Sequence, residues 1–196
     1  MRADKVIKEL EESAPVIEAV RCVVAETELA EGERISIIDL CSGKGFLSMF
    51  LSEMLDPTRV ERCFLVDKAW PPHNLEGPIH PHHISDAHIY GERVEEHAAD
   101  GGDGTRSGAE EPVPTYFQSW PVPLHTSKQN LKNKATMRSL GRHIFGRCSG
   151  PVLVLGVHLC GTLSLRAVDL FNAHPQAKLL ILKPCCLPGM VHANRD

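Results

Sequence analysis

Between two apolar runs the chain reads Asp39-Leu40-Cys41-Ser42-Gly43-Lys44-Gly45, a short segment that combines a carboxylate, a thiol, a hydroxyl and two glycines. Glycine tolerates positive φ and lets a ligand come close to the backbone, and a helix that starts after such a turn offers unpaired N–H groups. Gly43 and Gly45 are the expected points of ligand contact. The GxxxxGK[ST] pattern of a phosphate loop is missing, since Lys44 stands between the glycines. So is the GxGxxG dinucleotide pattern, because Phe46, Leu47 and Ser48 follow Gly45, and an NAD enzyme is disfavoured. The next apolar run ends at Asp67, roughly 20 residues further on, where an acidic side chain can accept hydrogen bonds from both hydroxyls of a ribose. Turn and carboxylate together point to a nucleoside-containing ligand.

A second group of reactive types lies downstream, at Val157-His158-Leu159-Cys160-Gly161 and at Lys183-Pro184-Cys185-Cys186. His158 carries an imidazole able to orient or deprotonate an acceptor; the alternative is a hydrogen-bonded structural histidine. His158, Cys160, Cys185 and Cys186 are also zinc ligand types. Adjacent cysteines on a strand project to opposite faces, and no CxxC spacing is present, so no metal is expected there. His73, His80, His82, His83 and His88 lack regular ligand spacing and read as loop residues.

These residues need a scaffold. Ile35–Leu40 and Val152–Val157 are short, nearly continuous apolar runs, the pattern of strands buried on both faces of a parallel sheet, and 63–67 and 178–182 read likewise. Apolar residues at helical spacing follow the glycine turn (Phe46, Leu47, Phe50, Leu51, Met54) and fill 163–172. Strand, turn and helix repeat, which implies a doubly wound α/β domain. Residues 1–31 read as an N-terminal helical segment, one helix or two divided near Pro15, and 32–196 as the α/β domain. Residues 71–114, rich in Pro, Gly, His, Asp and Glu, read as a disordered insertion. A third strand is expected at 116–120 and a helix over 128–145, whose Lys128, Lys132, Lys134, Arg138 and Arg142 should form one exposed basic stripe.

Lys and Arg number 21 and Asp and Glu 25, a net charge of −4, which excludes a globally basic nucleic-acid coat but not a local basic face. No apolar run reaches the roughly 18 residues of a membrane span, and the charged start MRADKVIKELEES lacks the apolar core of a secretory signal. The seven cysteines are unevenly spaced and do not read as a disulfide framework. An intracellular setting is expected, cytoplasmic or nuclear, with no membrane partner.

DLCSGKGFLS at 39–48, LVDK with Asp67, GVHLCGTLSLRAVDLF with His158 and Cys160, and LKPCCLPG with Cys185 and Cys186 together resemble the S-adenosylmethionine-dependent methyltransferase-domain proteins marked by an HxCG strand end and a later PCC. That group is similar to the tRNA 2'-O-methyltransferases of the acceptor stem. The resemblance spans about 35–70 and 116–190 and implies a Rossmann-like methyltransferase fold. It implies that Asp39, Cys41, Gly43 and Gly45, with Ser42 in the same turn, border the methionine part of S-adenosyl-L-methionine, and that Asp67 holds the ribose. His158 and Cys160 would stand at the methyl-transfer end. The implied acceptor is RNA, a tRNA ribose hydroxyl in the related enzymes, with Lys132, Arg138 and Arg142 on phosphates. Only seven residues follow Gly189, so the antiparallel hairpin that closes the usual sheet is expected to be missing, as a shorter sheet or a truncated domain. The alternatives are a degenerate cofactor-binding partner module and a protein methyltransferase whose acidic insertion engages a protein partner.

Overall fold

The computed structural model of the chain describes residues 3–72, 81–85, 87–90, 120–159 and 161–184. At its centre is β1 (Ile35–Leu40), buried at every position. It pairs in parallel with β2 (Val60–Asp67) on one side and β4 (Val152–Val157) on the other. Outside these lie β3 (Leu124–Lys128) beside β2 and β5 (Ala177–Lys183) beside β4, giving the order β3-β2-β1-β4-β5. β-branched and aliphatic residues fill both faces of the inner strands, as expected of a parallel sheet covered on both sides. Because all five strands run the same way, Leu40, Asp67, Lys128, Val157 and Lys183 end at one edge of the sheet. The chain leaves β1 toward β2 and β3, then returns to β4 on the opposite side. The gap between β1 and β4 at that edge is where open α/β sheets of this Rossmann-like kind receive ligands.

Two apolar layers clamp the sheet. On one face α1 (Ala3–Glu26) and α2 (Phe46–Met54) bring Val16, Ile17, Val20, Val24, Leu47 and Leu51 against Ile35, Ile37, Leu65, Leu153 and Leu155. On the other, α4 (Lys134–His143), a 3-10 turn (Phe145–Arg147) and α5 (Leu163–Ala173) pack Leu140, Phe145, Ala167 and Leu170 against Ile38, Leu40, Val66 and Val154. Each such aliphatic side chain contributes about 1.5–3 kcal/mol relative to exposure. Pro15 lies inside α1, so the N-terminal segment is one helix. Its exposed position lets water satisfy the Glu11 carbonyl that loses an N–H donor.

Among the described residues the third strand is Leu124–Lys128; of the expected strand at 116–120, Trp120 lies in no strand and 116–119 fall outside the described residues. Leu124 and Thr126 point inward while His125 and Ser127 are half-buried, an edge-strand pattern too polar to stand out as an apolar run. The helix is accordingly shorter than 128–145. Asn133 caps it, its side chain accepting from the Ala135 N–H at 2.9 Å, and α4 runs Lys134–His143. The five basic residues therefore do not form one helical stripe. Lys128 ends β3 with Nζ 2.9 Å from His83 Nε2, Lys132 lies in the turn before α4, and Arg138 and Arg142 are exposed on the helix one turn apart. Most of 71–114 falls outside the described residues, but 87–90 form a short helix, α3 (Ala87–Tyr90), whose Ile89 is fully buried with Ile84 packed nearby. That part of the insertion is core, which two isolated aliphatic residues without periodicity did not signal.

The glycines of the turn differ in what they do. Gly45 has φ of 78°, and a Cβ there would stand 2.4 Å from Leu65 Cδ2 and 3.2 Å from Ile89 Cδ1. Gly43, with φ of 53°, has nothing within 4 Å of that position. Gly45→Ala is expected to lower stability by about 2–4 kcal/mol, through backbone strain plus overpacking, and Gly43→Ala by about 1 kcal/mol, through strain alone. Urea unfolding of both variants checks this; equal losses would contradict the packing role given to Gly45.

Candidate functional site

A cavity of about 300 Å³ opens at the carboxyl ends of β1 and β4. Asp39, Cys41, Ser42, Gly43 and Lys44 form one wall, Val157 and His158 a second, Phe46 and Leu47 of α2 a third, and Lys5, Glu9 and Ser13 of α1 the last. Gly45 and Asp67 are outside this lining. The turn is shaped by three left-handed residues, Cys41 (φ 56°), Gly43 and Gly45, and closed by the Gly45 N–H donating to the Ser42 carbonyl at 2.8 Å. A cysteine in that conformation costs about 1–2 kcal/mol, strain that the surrounding packing must hold.

Asp67 braces the turn from the side. Its Oδ2 accepts from the Gly43 N–H at 3.1 Å and its Oδ1 from the Ala69 N–H at 2.8 Å. The fully buried Trp70 adds an indole N–H to Ser42 Oγ at 3.2 Å. Each Asp67 oxygen keeps a second lone pair for a ligand hydroxyl.

Asp39 is the unusual group. It is only 2% exposed, yet the one hydrogen bond to its carboxylate among the described residues comes from Ser48 Oγ on α2, at 2.9 Å to Oδ2. Burial drives its pKa up from 3.8 to about 7, the Ser48 hydroxyl opposing and the Asp67 charge adding to the rise. Near neutrality its protonated and ionised forms are therefore both accessible. The same burial, with the Asp67 and Asp39 charges, pushes the Cys41 thiol up to about 12, so it stays protonated and is no nucleophile.

His158 follows β4 with φ of 62°, its N–H donating to the Lys183 carbonyl at 2.9 Å. Its imidazole stands half-exposed at the cavity rim, Nε2 lying 3.4 Å from Glu12 Oε2 of α1. Glu12 is tied a second time, its carbonyl accepting from Lys183 Nζ. Cys160, Cys185 and Cys186 lie outside the described residues. Among the described residues no group of three His, Cys, Asp or Glu is placed to hold a metal ion.

The structure thus gathers Asp39, Cys41, Ser42, Gly43 and His158 around one cavity and sets Asp67 and Gly45 behind the turn. Lys132, Arg138 and Arg142 lie elsewhere, around α4. The residues that the sequence reading missed are Ser48 and the α1 group Lys5, Glu9, Glu12 and Ser13. A signal existed for the latter: positions 5, 9, 12 and 13 follow helical spacing, a polar stripe beside the apolar one. No helix among the described residues is long and apolar enough to cross a membrane. Comparison with protein-family models, with curated proteins and with solved structures found no match.

Proposed function

We propose that the chain is an S-adenosylmethionine-dependent methyltransferase acting on RNA. The observation that carries this reading is Asp39: a buried carboxylate with one oxygen lacking a donor among the described residues, held on the wall of a cavity at the β1/β4 crossover. Burial of that kind disfavours the anion unless a cation arrives, and S-adenosylmethionine brings two positive groups, a sulfonium and an ammonium. When bound, it supplies a methyl group on a positively charged sulfur, open to displacement by a nucleophile.

The chain's own residues fit this chemistry. Gly43 leaves the space beside the turn open, so a ligand can meet the backbone there. Asp39 faces positive charge, and Asp67 offers two further lone pairs to ribose hydroxyls on the other side of the turn. Phe46, Leu47 and Val157 supply apolar wall. Displacement at carbon needs alignment above all, so His158 at the rim serves to orient an acceptor hydroxyl or take its proton. A His158→Ala protein should lose turnover by far more than the lost Glu12 contact weakens donor binding; full turnover would remove that role.

RNA as acceptor is supported by Lys132, Arg138 and Arg142, all exposed and none in an ion pair among the described residues. Incubation with methyl-labelled donor and separate RNA and protein fractions tests it, label in RNA being expected and label confined to protein favouring a protein acceptor. Neutralising all three residues should flatten the slope of log affinity against log salt by about 2 units. An unchanged slope would take the phosphate contacts elsewhere. A cofactor-binding module without turnover is the second reading, favoured by β5: among the described residues it is an edge strand, and its four consecutive aliphatic residues 179–182, each only half-buried, are surface suited to a partner.

A further inference from the structure

The fourth wall of the cavity comes from the far end of the sequence, and its charges are arranged in an informative way. Lys5 and Glu9 both line the cavity, one helical turn apart. That spacing normally lets a lysine and a glutamate pair, and the next such couple on the same helix does so, Lys8 Nζ lying 3.7 Å from Glu12 Oε1. Lys5 and Glu9 form no ion pair with each other or with any described residue. A cation and an anion therefore stand side by side on the wall of the cavity that Asp39 and the glycine turn also line, with neither in an ion pair among the described residues. A ligand carrying both an anion and a cation on one carbon is complementary to that wall.

We infer that Lys5 and Glu9 recognise the zwitterionic α-amino-acid end of the ligand, Lys5 meeting its carboxylate and Glu9 its ammonium. This deepens the methyl-donor reading and rests on it. The size of the cavity agrees: about 300 Å³ suits an amino-acid-sized group, and the nucleoside-directed Asp67 lies outside it. Glu12 is the positioning residue. Its carboxylate at His158 and its carbonyl at Lys183 fasten α1 to the ends of β4 and β5, so the wall is in place before a ligand arrives.

Two nucleosides differing only at that end separate the claims. S-adenosylhomocysteine carries the amino acid, and 5'-methylthioadenosine carries a methyl group in its place. Calorimetric titration of the full chain is expected to give tighter binding of S-adenosylhomocysteine. Lys5→Met and Glu9→Gln should each weaken that binding about tenfold, as loss of a charge-assisted contact does, while leaving 5'-methylthioadenosine unchanged. Glu11→Gln, a charge change on the exposed side of the same helix, should leave both ligands alone. The inference is overturned if the wild-type chain binds the two nucleosides equally, or if the variants weaken both alike, and in either case the nucleoside reading stands. If a folded wild-type chain binds neither, the methyl-donor reading falls and takes the inference with it.

Discussion

Asp39→Asn is expected to stabilise the folded chain by about 4 kcal/mol at pH 9 and to change stability little at pH 3, if one pKa unit is worth 1.36 kcal/mol. The direction follows from the raised pKa, 3.8 to about 7. Between those values the folded chain binds the Asp39 proton more tightly than the unfolded chain does. Raising the pH through that window therefore costs the folded state stability, and above about 7 the cost is constant. Asparagine has no proton to lose, and its carbonyl can still accept from Ser48 Oγ. Urea unfolding of both proteins at pH 4, 6 and 8 measures the difference, which should grow across the series. Parallel curves would mean that the Asp39 carboxylate is better solvated than its burial allows. A residue that destabilises its own fold calls for a reason to be there, and a cationic ligand supplies one.

The same carboxylate governs the second large effect. If the ligand's positive groups are bound by ionised Asp39, apparent affinity scales with the ionised fraction. With a pKa near 7, S-adenosylmethionine should bind about 30-fold more weakly at pH 5.5 than at pH 8. In Asp39→Asn the affinity should be low and nearly flat over that range. Titrations at four pH values distinguish the two profiles. A flat wild-type profile would mean that Asp39 keeps its proton in the complex and does not meet the cation.

What could be read beforehand, and what could not, follows the range of the interactions involved. β1 and β4 were legible to the residue because inner strands of a parallel sheet need apolar side chains on both faces, and no other element of that length does. β3 was not, because an edge strand with one half-exposed face tolerates His125 and Ser127, and the aromatic residues at 116–120 offered a stronger local signal. The glycine turn and Asp67 were recognisable as a pair. That Asp67 spends one hydrogen bond on the Gly43 N–H, and that a Cβ at Gly45 would run into Leu65, are packing facts with no sequence signature. The α1 wall is the extreme case. Glu12 meets Lys183 across 171 positions, and nothing local to either residue announces the contact. In the sequence His158 reads as a lone strand-end imidazole; its carboxylate neighbour, Glu12, comes from α1, far away in the chain.

On the function proposed above, the cavity at the ends of β1 and β4 receives the amino-acid and sulfonium end of a nucleoside methyl donor. Calorimetric titration of the purified chain with S-adenosylmethionine at pH 7.5, with Asp39→Asn as the paired protein, tests it most directly. One site is expected, with a dissociation constant of about 10 μM or below, weakened tenfold or more, about 1.4 kcal/mol, by the substitution. A folded wild-type chain that gives no binding at millimolar donor, or an Asp39→Asn chain that binds as tightly as the wild type, would contradict it.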